Sequence, residues 1–215
     1  HDPSNRRVVV APLDASAVAT ATASLADLDP ALAAIAERNG VPPLWSREPG
    51  FRTMLRLILE QQVSLASADA AYRKLEAALG RVEPEPFLLL DDAELKVIGF
   101  SRQKAAYAQG LASGLMDGSI DLDRVADLDD GPAADRLLEI RGVGPWTAAC
   151  YLLFALLRPD VWPPGDRALE VSIGRVYGLA DAPSKDEATV RAVGWRPFRS
   201  VAARLLWHEY LGGGE

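Results

Sequence analysis

Cysteine is almost absent. Cys150 is the only one in 215 residues, which excludes an internal disulfide and any four-cysteine zinc or iron–sulfur centre. Its apolar neighbours read it as a core thiol. Lysine is scarce too, with only Lys74, Lys96, Lys104 and Lys185. No long hydrophobic run occurs: the longest uncharged stretch, from Gly142 to Leu157, lies between Arg141 and Arg158 and is shorter than the roughly 20 residues of a membrane span. No stretch reads as a signal peptide. The chain begins on His1 rather than Met, which reads as a tag or processing remnant and is set aside.

What is present is an ordinary globular mixture, 49% hydrophobic and 25% charged, long enough for one domain or two small ones around a substantial core. The net charge of −7 taken alone argues against a nucleic-acid partner. Its distribution argues otherwise. Residues 1–135 carry 13 Lys and Arg against 21 Asp and Glu, whereas residues 136–210 carry 10 against 8. The acid concentrates in DGSIDLDRVADLDDGPAAD (117–135), expected to be a solvated loop and helix start. A local basic surface can coexist with an acidic whole.

Helical signals dominate, and the chain reads as all-α with at most a small N-terminal β element. RVVVAPL (7–13) is the only convincing extended stretch. DPALAAIAERNG (29–40) runs from an Asp cap to an Asn-Gly stop. VPPLWSREPG (41–50) is a loop carrying Trp45. FRTMLRLILEQQ (51–62) sets Met54, Leu55, Ile58 and Leu59 on one face, and Ser64 caps a helix running to Leu79. Further helices are expected at 91–100, 101–118, 132–140, 145–157, 166–177, 184–193 and 198–211. The one over 145–157 is apolar on almost every side, as for an element central to a core.

Two glycines and a proline in RGVGPWT (141–147) stand directly before that apolar helix. Glycine permits positive φ and close approach from outside, and Pro145 suits the first helical turn. The turn therefore offers backbone N–H groups at a helix N-terminus with little side chain over them, an arrangement that binds phosphate. Taken alone, it reads more readily as a packing turn between two helices.

The wider pattern, LxxIxGVGPWTA followed by RPDVWPPGD, resembles the helix–hairpin–helix DNA glycosylase superfamily, and within it the AlkA-type 3-methyladenine DNA glycosylase II family. LILEQQVSLASA (57–68), LKVIGFSRQKAAYAQGLA (95–112) and WRPFRSVAARLLWHEY (195–210) fit in the family's order and spacing, from about residue 43 to 211. The first 40 residues are too few for the full N-terminal domain of longer members, which implies a shortened version. The resemblance implies a two-lobed fold with its active-site cleft between lobes: residues 50–155 form a helical lobe ending in the hairpin, 156–215 a C-terminal lobe, and 1–49 a segment packing with the latter.

It also implies an activity: flipping an alkylated base out of duplex DNA and hydrolysing its N-glycosidic bond to start base excision repair. Asp166 occupies the family's catalytic aspartate position, with helix capping as its structural role. Trp146 stands where bifunctional glycosylase/lyases carry a lysine, so the resemblance implies no lyase activity. Trp146 and Trp207 match aromatic pocket positions. Trp45 and Phe51 are further candidate walls, while Cys150 and Arg167 replace pocket tyrosines, leaving the lesion range open. Gln62 aligns with the side chain pushed into the vacated gap, with Gln61 beside it. Gly142, Gly144, Trp146 and Thr147 would hold the DNA backbone, both glycines facing outward, and the carbonyls of Leu138, Ile140 and Val143 would hold a monovalent cation, Na or K. No cofactor is expected for catalysis. The expected protein is a cytoplasmic, bacterial-type monomer that joins the nucleoid when acting on double-stranded DNA. Two alternatives stay open: a non-catalytic helix–hairpin–helix DNA-binding module, and a glycosylase for a neutral oxidised or mismatched base.

Overall fold

A computed structural model describes residues 11–213. Among the described residues there are helices and loops and no strand. Most of the extended stretch at 7–13 lies outside them, and 11–13 form no regular element. No described helix is long and apolar enough to cross a membrane. The chain divides into two compact units, one from residues up to Trp45 together with those from Leu157 on, the other from Ser46–Leu156.

The first unit begins with α1 (Ala15–Leu28) and α2 (Pro30–Asn39). Asp14 caps α1 by accepting from the Ala17 N–H at 2.7 Å. The sequence reading starts its first helix at Asp29 and so misses α1, although buried Val18, Ala21, Thr22 and Leu25 recur at helical spacing. Three threonine and serine hydroxyls in α1 donate back to carbonyls one turn earlier, which satisfies them without breaking the helix.

The second unit holds α3 (Phe51–Glu60), α4 (Leu65–Leu79), α5 (Pro84–Phe87), α6 (Asp92–Ile98), α7 (Arg102–Asp117), α8 (Leu122–Ala126), α9 (Asp130–Leu138) and α10 (Pro145–Phe154). Its centre is α3, buried from Met54 to Glu60 except at Arg56, and α10, buried from Thr147 to Leu153. The 117–135 stretch is more ordered than a solvated loop: α8 and the start of α9 fall within it, because Leu122, Val125 and Ala133 have a core to enter.

The first unit resumes with α11 (Arg167–Val176), α12 (Lys185–Ala192), a short 3₁₀ turn at Val193–Trp195 and α13 (Arg199–Tyr210). α13 is buried from Ser200 to His208 and packs on α11, α2 and α1. Arg204 lies on it fully buried, donating to Leu44 O at 2.9 Å and Ser200 O at 3.0 Å. Burial pushes its guanidinium down to about 10, so it keeps its charge at neutral pH.

One carboxylate ties the two ends of this unit together. Asp29 caps α2 through the Ala31 N–H (2.9 Å) and accepts from Trp195 Nε1 (2.9 Å) and the Tyr177 hydroxyl. Burial raises its pKa, but the bonds from Tyr177, Trp195, Ala31 and Leu32 outweigh burial and hold it below the usual value of 3.8. A depressed folded pKa means stability present above 3.8 and lost as pH falls through the folded value. Asp29→Asn should therefore lower the denaturant midpoint at pH 7, and the gap from wild type should narrow steadily below pH 3.8. A gap independent of pH would show that the carboxylate charge plays no part.

Candidate active site and DNA interface

In the first unit, the loop from Leu157 to Asp166 is fastened to the start of α13. Ser200 donates its N–H to Pro159 O at 3.1 Å, and its hydroxyl accepts from the Val161 N–H at 2.9 Å and donates to Val161 O at 3.1 Å. Arg199 grips Asp160 through Nε to Oδ1 at 2.8 Å and Nη2 to the backbone carbonyl at 2.7 Å. Trp162 is buried against Trp195, ring centroids 5.5 Å apart. Gly165, at φ +75, turns the chain into α11, and that left-handed position favours glycine.

Asp166 follows as the N-cap of α11. Its Oδ1 accepts from the Leu169 N–H at 3.0 Å and from Trp207 Nε1 at 3.2 Å. The capping and chemical roles anticipated for this residue are compatible, because the cap fixes the carboxylate without burying it: Asp166 is half-buried. Trp207 is buried at 9% exposure and presents a donor as well as a ring. Sequence identifies it as an aromatic; the hydrogen bond needs the structure. Arg167 is exposed and lies along its own helix toward Glu170 (3.4 Å). Trp45 is half-buried, edge-on to His208 with centroids 6.2 Å apart, in a left-handed backbone conformation of φ +48.

In the second unit, α9 and α10 form the hairpin, closed by the Val143 N–H donating to Ile140 O at 3.0 Å. Its two glycines differ. Gly142 has φ +90, and a Cβ there would stand 2.3 Å from Cγ of Tyr107, so it faces the protein rather than outward. Gly144 is extended at φ −96 and caps α10 with no side-chain hydrogen bond, and a Cβ on it would meet nothing within 4 Å. The open approach to the helix N-terminus is therefore at Gly144, ahead of Pro145 and half-buried Trp146. Thr147 is buried at 2% exposure, which keeps its side chain from the surface.

Gln61 and Gln62 follow α3 but differ sharply. Gln61 Nε2 donates to Gly142 O at 2.8 Å and to Thr147 Oγ1 at 2.9 Å, so its amide is held by the hairpin and is not a wedge. Gln62 is exposed and left-handed at φ +57. That conformation costs about 1–3 kcal/mol in a residue with a side chain and persists only where surroundings impose it. Two other expected pocket residues lie inside. Phe51 stacks edge-on against Phe87 (5.7 Å) in an aromatic core, because the first turn of α3 faces inward. Cys150 is fully buried in α10. No cluster of three or more His, Cys, Asp or Glu side chains suited to a metal occurs among the described residues.

Known proteins resemble this chain in sequence and in fold. YfjP of Bacillus subtilis is 30% identical over 184 residues, 82% of this chain and 64% of that protein. DNA-3-methyladenine glycosylase 1 of Schizosaccharomyces pombe is 27% identical over 165 residues, 75% of this chain and 72% of that one. The chain thus spans roughly two thirds of the length of these relatives. The structure of a 3-methyladenine DNA glycosylase from S. pombe, solved with abasic DNA, superposes with a TM-score of 0.82 at 25% identity, covering 88% of this chain and 95% of that one. Residues 55–197 match the family described as HhH-GPD superfamily base excision DNA repair protein. The chain belongs to the HhH-GPD superfamily of base excision DNA repair proteins.

Proposed function

We propose that the protein is a monofunctional DNA glycosylase that removes alkylated bases of the 3-methyladenine type from duplex DNA. The observation that carries this reading is the Asp166 carboxylate, held on one oxygen by the Leu169 N–H and the Trp207 indole. A base alkylated on a ring nitrogen is cationic and leaves readily. As the bond from C1′ to the base nitrogen breaks, its electron pair passes to the base and neutralises it, leaving positive charge on the sugar. A fixed carboxylate stabilises that charge, and it orients the water whose oxygen bonds to C1′ and accepts the proton the water gives up.

Trp207, in the same unit as Asp166 and bonded to it, would offer an electron-rich face to a cationic base, a contact worth about 0.5–2 kcal/mol. Grip on the duplex comes from the N–H groups at the start of α10, which contact phosphate and read no sequence. The backbone carbonyls of Leu138, Ile140 and Val143 would hold a monovalent cation, Na or K, whose charge would favour phosphate nearby. The carbonyl of Ile140 already accepts from the Val143 N–H, and its second lone pair is what a cation would use. Such a cation contributes binding only. Relatives and a structural neighbour named as 3-methyladenine glycosylases support the substrate class.

Asp166→Asn should lower single-turnover release of an alkylated base by at least about 100-fold, with duplex affinity unchanged or tighter because phosphate repulsion is relieved. Unchanged release would remove Asp166 from the mechanism. Borohydride added during turnover should trap no protein–DNA adduct, since Trp146 replaces the amine. A robust adduct would put a lysine into the chemistry and overturn the monofunctional reading.

The two glycines give separable outcomes. Gly144→Ala should leave the melting temperature nearly unchanged and weaken binding to damaged and undamaged duplex alike, by roughly 1–2 kcal/mol if a charge-assisted hydrogen bond is impaired. Gly142→Ala should instead destabilise the fold by displacing Tyr107. Equal melting temperatures for the two variants would show that the turn is not held as described.

A further inference from the structure

The end of α3 is fastened more heavily than a helix terminus needs. Lys104 Nζ donates to Leu59 O at 2.6 Å, satisfying a last-turn carbonyl, and burial lowers the pKa of this lysine. Glu60, 9% exposed, accepts from Arg47 through both oxygens, at 3.2 and 3.0 Å. Gln61 then reaches across to the hairpin, 81 residues later in the chain, and bonds both the Gly142 carbonyl and the Thr147 hydroxyl. The orientation of its amide is dictated chemically, because a carbonyl only accepts and so must face the NH₂. The next residue is exposed Gln62, in the left-handed conformation.

We propose that Gln61 is a positioning residue: it locks the turn that carries Gln62 to the phosphate-gripping hairpin, so that wedge and clamp meet the duplex in one fixed register. A side chain that must enter the gap left by a flipped base gains from such rigidity, since a loose wedge loses on ordering what it gains on insertion. The bond to Gly142 joins the same residue that packs on Tyr107, which ties the register of the wedge to the most constrained point of the hairpin. The inference rests on the glycosylase reading of this interface.

Gln61→Glu keeps the size of the side chain and removes the donor that Gly142 O requires. The test uses duplex DNA with a tetrahydrofuran abasic analogue opposite 2-aminopurine, whose fluorescence reports wedge insertion without any base release. Wild type should change the fluorescence at saturation, Gln62→Ala should abolish the change, and Gln61→Glu should reduce it at least threefold while affinity for undamaged duplex stays within about threefold. The double variant should match Gln62→Ala alone. Thr147→Val, which removes one of the two acceptors, should show a smaller loss of the same kind and carries the test if Gln61→Glu does not fold. A full fluorescence change in folded Gln61→Glu, or losses that add in the double variant, overturns the inference and leaves the glycosylase reading intact. Absence of any change with wild type overturns the wedge reading and the inference together, whereas failure of base release alone touches only the former proposal.

Discussion

The role proposed for Asp166 requires that something other than the substrate keep its half-buried carboxylate in place, and the long buried helix α13 does so at two separate points. Its first turn fastens the backbone of residues 159–161 through Ser200 and Arg199, and Trp207, two turns on, holds Asp166 itself. The loop between has almost no freedom left: Trp162 is packed on Trp195, two prolines follow, and Gly165 makes the one turn that needs a left-handed residue. The carboxylate proposed to act and the loop that leads to it are thus held by the same element. Preorganisation of this kind is what lets a fixed charge stabilise a developing one without rearranging first.

The phosphate grip proposed for the hairpin sets a different problem, since it calls for a turn both rigid and bare. Rigidity comes from Gly142 pressed on Tyr107, from the Val143–Ile140 hydrogen bond and from Gln61. Bareness comes from Gly144 and Pro145, which open α10 without a side-chain cap. Dividing these duties between two glycines explains why the motif carries both while only one has a positive φ.

Much of this was legible in the sequence where a residue has one dominant physical role. The helices from α3 to α13 longer than five residues follow from caps and apolar spacing, and Asp166, Gly142, Gly144 and Trp207 are singled out by motif. Roles that depend on long-range pairing were not legible. Nothing local distinguishes Gln61, turned inward to the hairpin, from Gln62, turned out; only the backbone reversal at Gln62 separates them. Phe51 looks like a pocket wall because aromatics serve both core and pocket, and the core won once α5 and Phe87 lay opposite. α1 was overlooked because alanine and threonine mask its apolar stripe.

The two units differ in how the chain reaches them. Residues 46–156 are contiguous, whereas α1 and α2, beyond each other, find their partners in α13 and the loops beside the last helices, through Leu13 with Leu157, Asp29 with Tyr177 and Trp195, and Asn39 with Glu209. During synthesis residues 46–156 meet their partners within one continuous stretch, while α1 and α2 must wait for α13. Their contacts span most of the sequence, the kind of closure that is slow because its loop entropy is lost before any contact repays it. Closure of this unit therefore follows the synthesis of α13, so the helix that holds Asp166 through Trp207 is also the one for which α1 and α2 wait.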